Sequence, residues 1–434
     1  MNSFSDNQFL LTFESGKQWI YNNMTNALTD LEGNNVVGNL EPGEFTDVEI
    51  AAPWNPIAKS NAPRTLKIQL GLKCNYSCAY CNQATQVGDE FHTNTDDAED
   101  FINRLDTWLE SEPQKIELWG GEPWLYWKKI KYMLPRLRER FPNAKFGMIT
   151  NGSLLNQEIM DMIHEYDISI TISHDGPGQY LRGPDPLVDD EKRAWIDKLV
   201  EERPGNLCFN TVLCADNRDP NKVKRFFKKE FGPQAHSDFE GIVNDYSEGD
   251  VGLVREFCQE EYDELSQSIL SGLYQGDLMQ TSYFGGRMVN FIEGIRSARP
   301  ASSVGQKCGM DASHNIAVDL LGNAMTCQNT GAKGLHNIGN VYRGDVAIDT
   351  ALHWSHREEC KHCPVLHICA GSCMYLGGDN WSRSCNNEFY TGIPIFIAAM
   401  SELAEERLVS WQGNVVRPNY EIPKTNRIAI TEVD

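Results

Sequence analysis

Ten cysteines in two spaced clusters constrain this chain more than any other feature of its sequence. Cys74, Cys78 and Cys81 form a CxxxCxxC run, and Cys308, Cys327, Cys360, Cys363, Cys369, Cys373 and Cys385 crowd the C-terminal third. The other three of the 13 cysteines, Cys208, Cys214 and Cys258, stand apart. The start, MNSFSDNQFLLTFESGK, has neither the basic n-region nor the long apolar h-region of a signal peptide. That predicts a cytoplasmic protein, where disulfides are rare. Metal ligation, redox chemistry or inert core thiols must then account for so many cysteines. Two clusters at separate places predict two metal-binding regions.

The first cluster is the more specific. Soft thiolates select zinc, Cu(I) or iron–sulfur clusters. A structural zinc site usually takes four ligands from paired CxxC knuckles. Three cysteines with no nearby fourth suit a [4Fe–4S] cluster with one iron left open. The alternative is a zinc knuckle completed by a distant residue such as His92.

Residues 1–63 are polar, with turns near Gly33 and Gly38, and read as short strands with room for one hairpin. From Leu66 onward, apolar strands alternate with amphipathic helices. Strands are predicted at 66–72, 115–119, 145–150, 168–173, 207–213 and 239–243. Helices are predicted near 96–111, 125–140, 156–165, 188–203, 220–230 and 253–272. Six βα units imply a parallel sheet with right-handed crossovers, whose working residues gather at the carboxyl ends of the strands. The predicted fold class is therefore α/β, a partial (βα)6 barrel at 64–280. A linker at 281–306, a cysteine-rich domain at 307–392, and a C-terminal helix and tail at 393–434 complete the plan. The helix is placed near 394–410.

The formal net charge of −22, from 61 acidic and 39 basic side chains, disfavours nucleic acid and anionic membrane surfaces as partners. A basic peptide or protein partner is compatible with it. No stretch approaches the ~20 apolar residues of a membrane span.

CNYSCAYC, with aromatic Tyr80 just before the third cysteine, resembles the signature of radical S-adenosylmethionine (SAM) enzymes. Gly120-Gly121-Glu122-Pro123 resembles the GGEP motif of that family, Thr150-Asn151-Gly152 its third-strand ending, and Ser173 in SHDGP its polar contact to the cofactor. Arg182 matches an arginine that pairs with the cofactor carboxylate. The resemblance implies that Cys74, Cys78 and Cys81 hold a [4Fe–4S] cluster. It further implies that Tyr80, Gly120, Gly121, Glu122, Asn151, Ser173 and Arg182 bind SAM. Reductive cleavage of SAM would then yield a 5′-deoxyadenosyl radical. The glycines are expected to let backbone approach the cofactor. Asp175 reads as a turn residue before Gly176-Pro177.

The seven later cysteines resemble the SPASM domain, an extension of these enzymes that commonly holds two auxiliary [4Fe–4S] clusters. By that resemblance Cys360, Cys363, Cys369 and Cys385 ligate the outer cluster. Cys308, Cys327 and Cys373 supply three ligands to the inner one, whose fourth position is expected to hold a non-cysteine ligand, with His314 or Asp311 as candidates, or to be an open iron. Two zinc knuckles are the alternative.

SPASM enzymes mostly modify peptides and proteins. The expected function is cross-linking of a ribosomally made peptide, an oxidoreductase reaction. Flavodoxin or ferredoxin is the expected electron donor. Residues 1–63 are too short for the winged leader-binding domain of many such maturases, which leaves leader recognition to a separate protein or another surface. An epimerase would need a hydrogen-atom donor, for which Cys208, Cys214 and Cys258 are the candidates. Sulfatase maturases carry an aspartate after the second cysteine of this domain, and this chain has Gln328, whose amide takes no proton at neutral pH. A small-molecule radical dehydrogenase and a non-catalytic metal scaffold complete the alternatives.

Overall fold

The computed structural model describes residues 7–37, 43–83, 94–233, 235–244, 255–413 and 420–423. His92 lies outside them. Strands β1 (Gln8–Phe13), β2 (Gln18–Asn22) and β3 (Ala27–Thr29) make an antiparallel meander. Alternation along β1 buries Phe9, Leu11 and Phe13. A two-residue strand, β4 (Ile57–Ala58), follows.

The barrel is then built from β5 (Thr65–Gln69), α1 (Asp96–Asn103), β6 (Lys115–Trp119), α2 (Trp127–Arg140), β7 (Lys145–Thr150), α3 (Gln157–Glu165), β8 (Ser169–Ser173), α4 (Asp190–Glu202), β9 (Leu207–Leu213), α5 (Pro220–Phe231), β10 (Ser237–Ile242) and α6 (Gln259–Tyr274). The six strands pair in parallel in sequence order, as a partial TIM-like barrel requires. Local sequence punctuates the helices. Asp219 caps α5 by accepting the Asn221 and Lys222 N–H groups, Pro220 takes its first position, and Gly232 ends it at φ +79°. Asn156 and Asp189 cap α3 and α4 in the same way.

Residues 281–306 depart from the expected linker. A π-helical turn at Ser282–Gly286 leads into α7 (Arg287–Arg296). Met288, Phe291, Ile292 and Ile295 of α7 are buried, the i, i+3, i+4, i+7 spacing of a helix packed on a core. Gly285-Gly286 hides that helix in the sequence by imitating a break.

The chain next returns to the barrel sheet. β11 (Asn315–Asp319) lies parallel to β5, in register from Asn315 opposite Thr65 to Asp319 opposite Gln69. β12 (Asn323–Met325) and β13 (Asn337–Asn340) extend the sheet antiparallel to nine strands. β14 (Ala347–Ile348) pairs with β4. Two short helices follow, α8 (Glu358–Lys361) and α9 (Leu366–Cys369), and then α10 (Gly378–Ala404). α10 begins well before 394. Pro394 sits inside it, and the helix survives because it is buried along most of its length and packs on α6 and α7. Tertiary burial thus overrides the local preference of proline for a first turn. Cys385 rides on this same helix, so a boundary at 392 cuts through one element.

The segment after α10 is likewise more than a tail. β15 (Leu408–Gly413) pairs antiparallel with β1, from Phe9 opposite Gly413 to Phe13 opposite Leu408. No described helix is long and apolar enough to cross a membrane.

Candidate active site

A cavity of about 570 Å³ opens at the carboxyl ends of the barrel strands. One wall carries Cys74, Cys78 and Cys81 with Tyr80, Gly120, Gly121, Asn151, Ser173 and Arg182. The facing wall carries Gln306, Lys307, Cys308, Cys327, Gln328, Cys373 and Glu388. Residues from both cysteine-rich regions therefore line one space.

The cysteine loop is held by the two glycines after β6. Gly121 N–H donates to Gly71 O at 3.1 Å, and Glu122 N–H donates to Lys73 O at 3.0 Å. A Cβ on Gly120 would stand 2.6 Å from Gly71 O, and one on Gly121 would stand 2.4 Å from both Leu72 O and Lys73 O. The close approach that requires glycine here is to the backbone leading into Cys74. Both glycines also line the cavity. Tyr126 adds a clamp, its hydroxyl accepting the Lys73 N–H at 2.9 Å.

Glu122 turns away from the cavity. Its carboxylate accepts from Thr150 Oγ1 at 2.7 Å, Asn151 N–H at 2.8 Å and Trp124 N–H at 3.2 Å. Burial pushes its carboxyl up to about 7 against those three hydrogen bonds. It braces the β6 and β7 endings and does not line the cavity, whereas Gly120 and Gly121 do. Asn151 does face inward, donating to Asn75 Oδ1 at 2.9 Å beside Cys74.

Asp175, read in sequence as a turn residue, is fully buried at the centre of a network. Its carboxylate accepts from Tyr80 Oη, from Val212 N–H at 3.0 Å and from Arg182 Nη2 at 3.0 Å. The Arg182 guanidinium lies 5.6 Å from the Tyr80 ring centroid. Burial opposes the arginine charge, but Asp175 outweighs it and holds the guanidinium firmly protonated. Arg182 lies in the cavity wall, and its Nε is buried without a hydrogen-bond partner among the described residues. An N–H left over in this position suits an anionic oxygen. Asp-Gly-Pro gives no local sign of burial, so sequence alone reads it as a turn.

The cysteines fall into three neighbour groups. Cys81 lies within electrostatic reach of the Cys74 and Cys78 thiols, Cys373 within reach of Cys308 and Cys327, and Cys363 and Cys385 within reach of Cys360 and Cys369. Burial pushes the Cys78 and Cys308 thiols up to about 11. Bare thiols there stay protonated, and metal loading must expel the protons. The last four cysteines ring a small void with Val365, Leu366 and Phe389. Among the described residues, no three His, Cys, Asp or Glu side chains converge on a single metal ion. Tetrahedral zinc holds its sulfurs roughly 4 Å apart. A ring of thiols around a void instead suits a multi-iron core whose irons each take one sulfur.

The remaining site candidates divide plainly. Gln328 lines the cavity. His314 precedes β11 beside Arg64 and Lys59 and does not line it. Asp311 is also outside the lining, and its Oδ2 accepts the Gln306 N–H at 2.8 Å. Cys208 shares a face of β9 with cavity-lining Val212 but lies about 13 Å lower on the strand. Its thiol faces Phe209 O at 3.4 Å. Cys214 is buried at a turn bridged to Asn217, and Cys258 is exposed at the start of α6. None of these three thiols lines the cavity.

Two charged groups had no signal in the sequence. Glu388 on α10 takes the Lys307 ammonium and Arg287 Nη2, the latter at 3.3 Å. Burial works against its ionisation, but both cations outweigh it and hold the carboxyl below the usual range. Lys59 Nζ donates to Met310 O, Ala312 O and Asn315 O at 2.6, 2.9 and 2.7 Å, next to Cys308 and Cys327.

Comparison with known proteins places this geometry. Residues 68–211 match the family described as the radical SAM superfamily. The chain is 21% identical over 355 residues to the radical SAM cyclopropyl synthase TigE of Paramaledivibacter caminithermalis, covering 74% of this chain and 70% of that one. Its fold is similar to that of anSMEcpe with bound AdoMet, with a TM-score of 0.57 at 20% identity, over 79% of this chain and 98% of that one. The same enzyme with AdoMet and the Cp18Cys peptide gives 0.56 at 19% identity over the same shares. The partial barrel, the CxxxCxxC loop at its mouth and the family match over 68–211 together identify those residues as a radical SAM domain.

Proposed function

We propose that this enzyme modifies a peptide, and that the modification is a cross-link. The observation that carries the reading is the shared cavity. Its barrel wall would hold the first cluster on Cys74, Cys78 and Cys81, with SAM against Gly120, Gly121, Asn151, Ser173 and Arg182. Its other wall would hold the inner auxiliary cluster on Cys308, Cys327 and Cys373. The void among Cys360, Cys363, Cys369 and Cys385 would hold the outer one. The cofactors are thus SAM and three [4Fe–4S] clusters, two of them in a SPASM-type domain at 307–392. When bound, these groups supply a 5′-deoxyadenosyl radical for hydrogen abstraction and an acceptor for one electron.

The protein's own part is placement. The glycine clamp fixes the cysteine loop, and the Tyr80–Asp175–Arg182 network fixes an anion-binding N–H. A peptide fits the far wall, where Lys307, Glu388 and Gln328 offer charge and amide contacts. That anSMEcpe has been seen with both AdoMet and a peptide supports this choice of substrate. Flavodoxin or ferredoxin would deliver the electron, and a separate protein would present a leader.

Cross-linking is favoured over epimerisation because every cysteine in the cavity wall belongs to one of the three neighbour groups. An epimerase needs a spare thiol to return a hydrogen atom, and Cys208, Cys214 and Cys258 are all elsewhere. Gln328 stands where a sulfatase maturase has its aspartate, which disfavours that reaction. Closing a cross-link removes one hydrogen as an atom, one as a proton, and one electron. Co-expression with a candidate precursor peptide and mass spectrometry should therefore show the loss of two hydrogens. An unchanged mass with an inverted α-carbon would establish epimerisation instead.

A further inference from the structure

We propose that Gln306 is the fourth protein ligand of the inner auxiliary cluster, its side-chain carbonyl oxygen taking the iron that Cys308, Cys327 and Cys373 leave over. This rests on the reading of those three cysteines as cluster ligands. Gln306 is 8% exposed and lies in the cavity wall two residues before Cys308. Its amide Nε2 points at Cys373 Sγ across 3.8 Å. Its backbone is pinned by the bond from Gln306 N–H to Asp311. Yet Oε1 is buried with no hydrogen-bond partner among the described residues.

A buried acceptor left unmade costs about 1–3 kcal/mol, and native interiors seldom keep one without a reason. Iron is such a reason, because the amide oxygen has lone pairs to give and no donor to give them to. The two ligands expected from sequence have other places. Neither Asp311 nor His314 lines the cavity wall, and Asp311 Oδ2 accepts the Gln306 N–H. A neutral ligand in place of a fourth thiolate also makes the cluster one unit less negative, which raises its reduction potential. That is the right direction for a cluster that accepts an electron from a substrate radical.

The test uses the full chain with Cys74, Cys78 and Cys81 replaced by alanine, so that the first cluster and its open iron are gone. The reduced, reconstituted protein is given ¹³C-cyanide and examined by pulsed EPR for ¹³C coupling at the inner cluster. With Gln306 present we expect no coupling, and with Gln306→Ala we expect coupling. Gln306→Glu should also keep cyanide out and should lower the inner cluster's midpoint potential, because a carboxylate restores the charge. Cyanide bound in the presence of Gln306 overturns the assignment, since the iron is then open and the amide serves a substrate donor. An intact cluster that excludes cyanide in Gln306→Ala overturns it too. If the alanine variant loads no inner cluster, Gln306→Glu decides, and an unchanged potential overturns the proposal. A parent protein with iron for no auxiliary cluster fails differently, by iron content alone. That result removes the reading of the three cysteines and this assignment with it.

Discussion

Asp175→Ala should cost about 3–5 kcal/mol of folding stability, the range for removing one partner of a buried ion pair. Asp175 is 0% exposed and Arg182 is 9% exposed, so solvent screens little of the loss. The alanine strips the Arg182 guanidinium of its counter-charge and leaves the Val212 N–H and the Tyr80 hydroxyl without their acceptor. Asp175→Ala combined with Arg182→Leu should recover part of the loss, because no uncompensated charge then remains. The three groups act as one network, so their effects will not add. Urea unfolding of the metal-free proteins measures both. A single variant within about 0.5 kcal/mol of the parent, as ordinary surface changes are, would show that the network is not the keystone described here.

Gly121→Ala should be as damaging to the chemistry as Asp175→Ala is to the fold. The added methyl group meets Leu72 O and Lys73 O at 2.4 Å, and both are backbone atoms that cannot swing aside. The segment entering Cys74 must move instead. A misplacement of about 1 Å costs on the order of 100-fold in rate when geometry is the catalyst. The expected result is a fall of that size in SAM cleavage, with one cluster's share of iron lost and the auxiliary iron retained. Full iron with parental cleavage would mean that the glycine pair does not set the loop. Gly147→Ala is the control, since its Cβ would meet nothing closer than 3.6 Å.

Sequence and structure agree best where the signal is local. Strands 115–119, 145–150 and 207–213 carry their own apolar pattern and are found at those residues. The parallel order follows from βα alternation, and the cysteine spacing survives as three neighbour groups. What escapes is long-range or disguised. The pairing of β15 with β1 joins residues some 400 apart, and nothing in either segment announces the other. Gly285-Gly286 conceals the start of α7, and Pro394 conceals the middle of α10. Asp175 looks like a turn former because its burial comes from β9 and from Arg182. Gln306 sits in a stretch that reads as a linker, and only its orphaned oxygen singles it out. Glu122 was legible as a motif residue, but the sequence does not say which way its side chain turns.

The central claim is that the CxxxCxxC loop and the β6–β8 endings form a site that cleaves SAM. It is tested most directly by reconstituting the full chain with iron and sulfide, adding SAM and dithionite, and measuring 5′-deoxyadenosine. The account predicts 5′-deoxyadenosine and methionine, formed by the parent and not by Cys78→Ala. Iron-loaded parent protein that yields no 5′-deoxyadenosine would contradict it and leave a metal scaffold in its place.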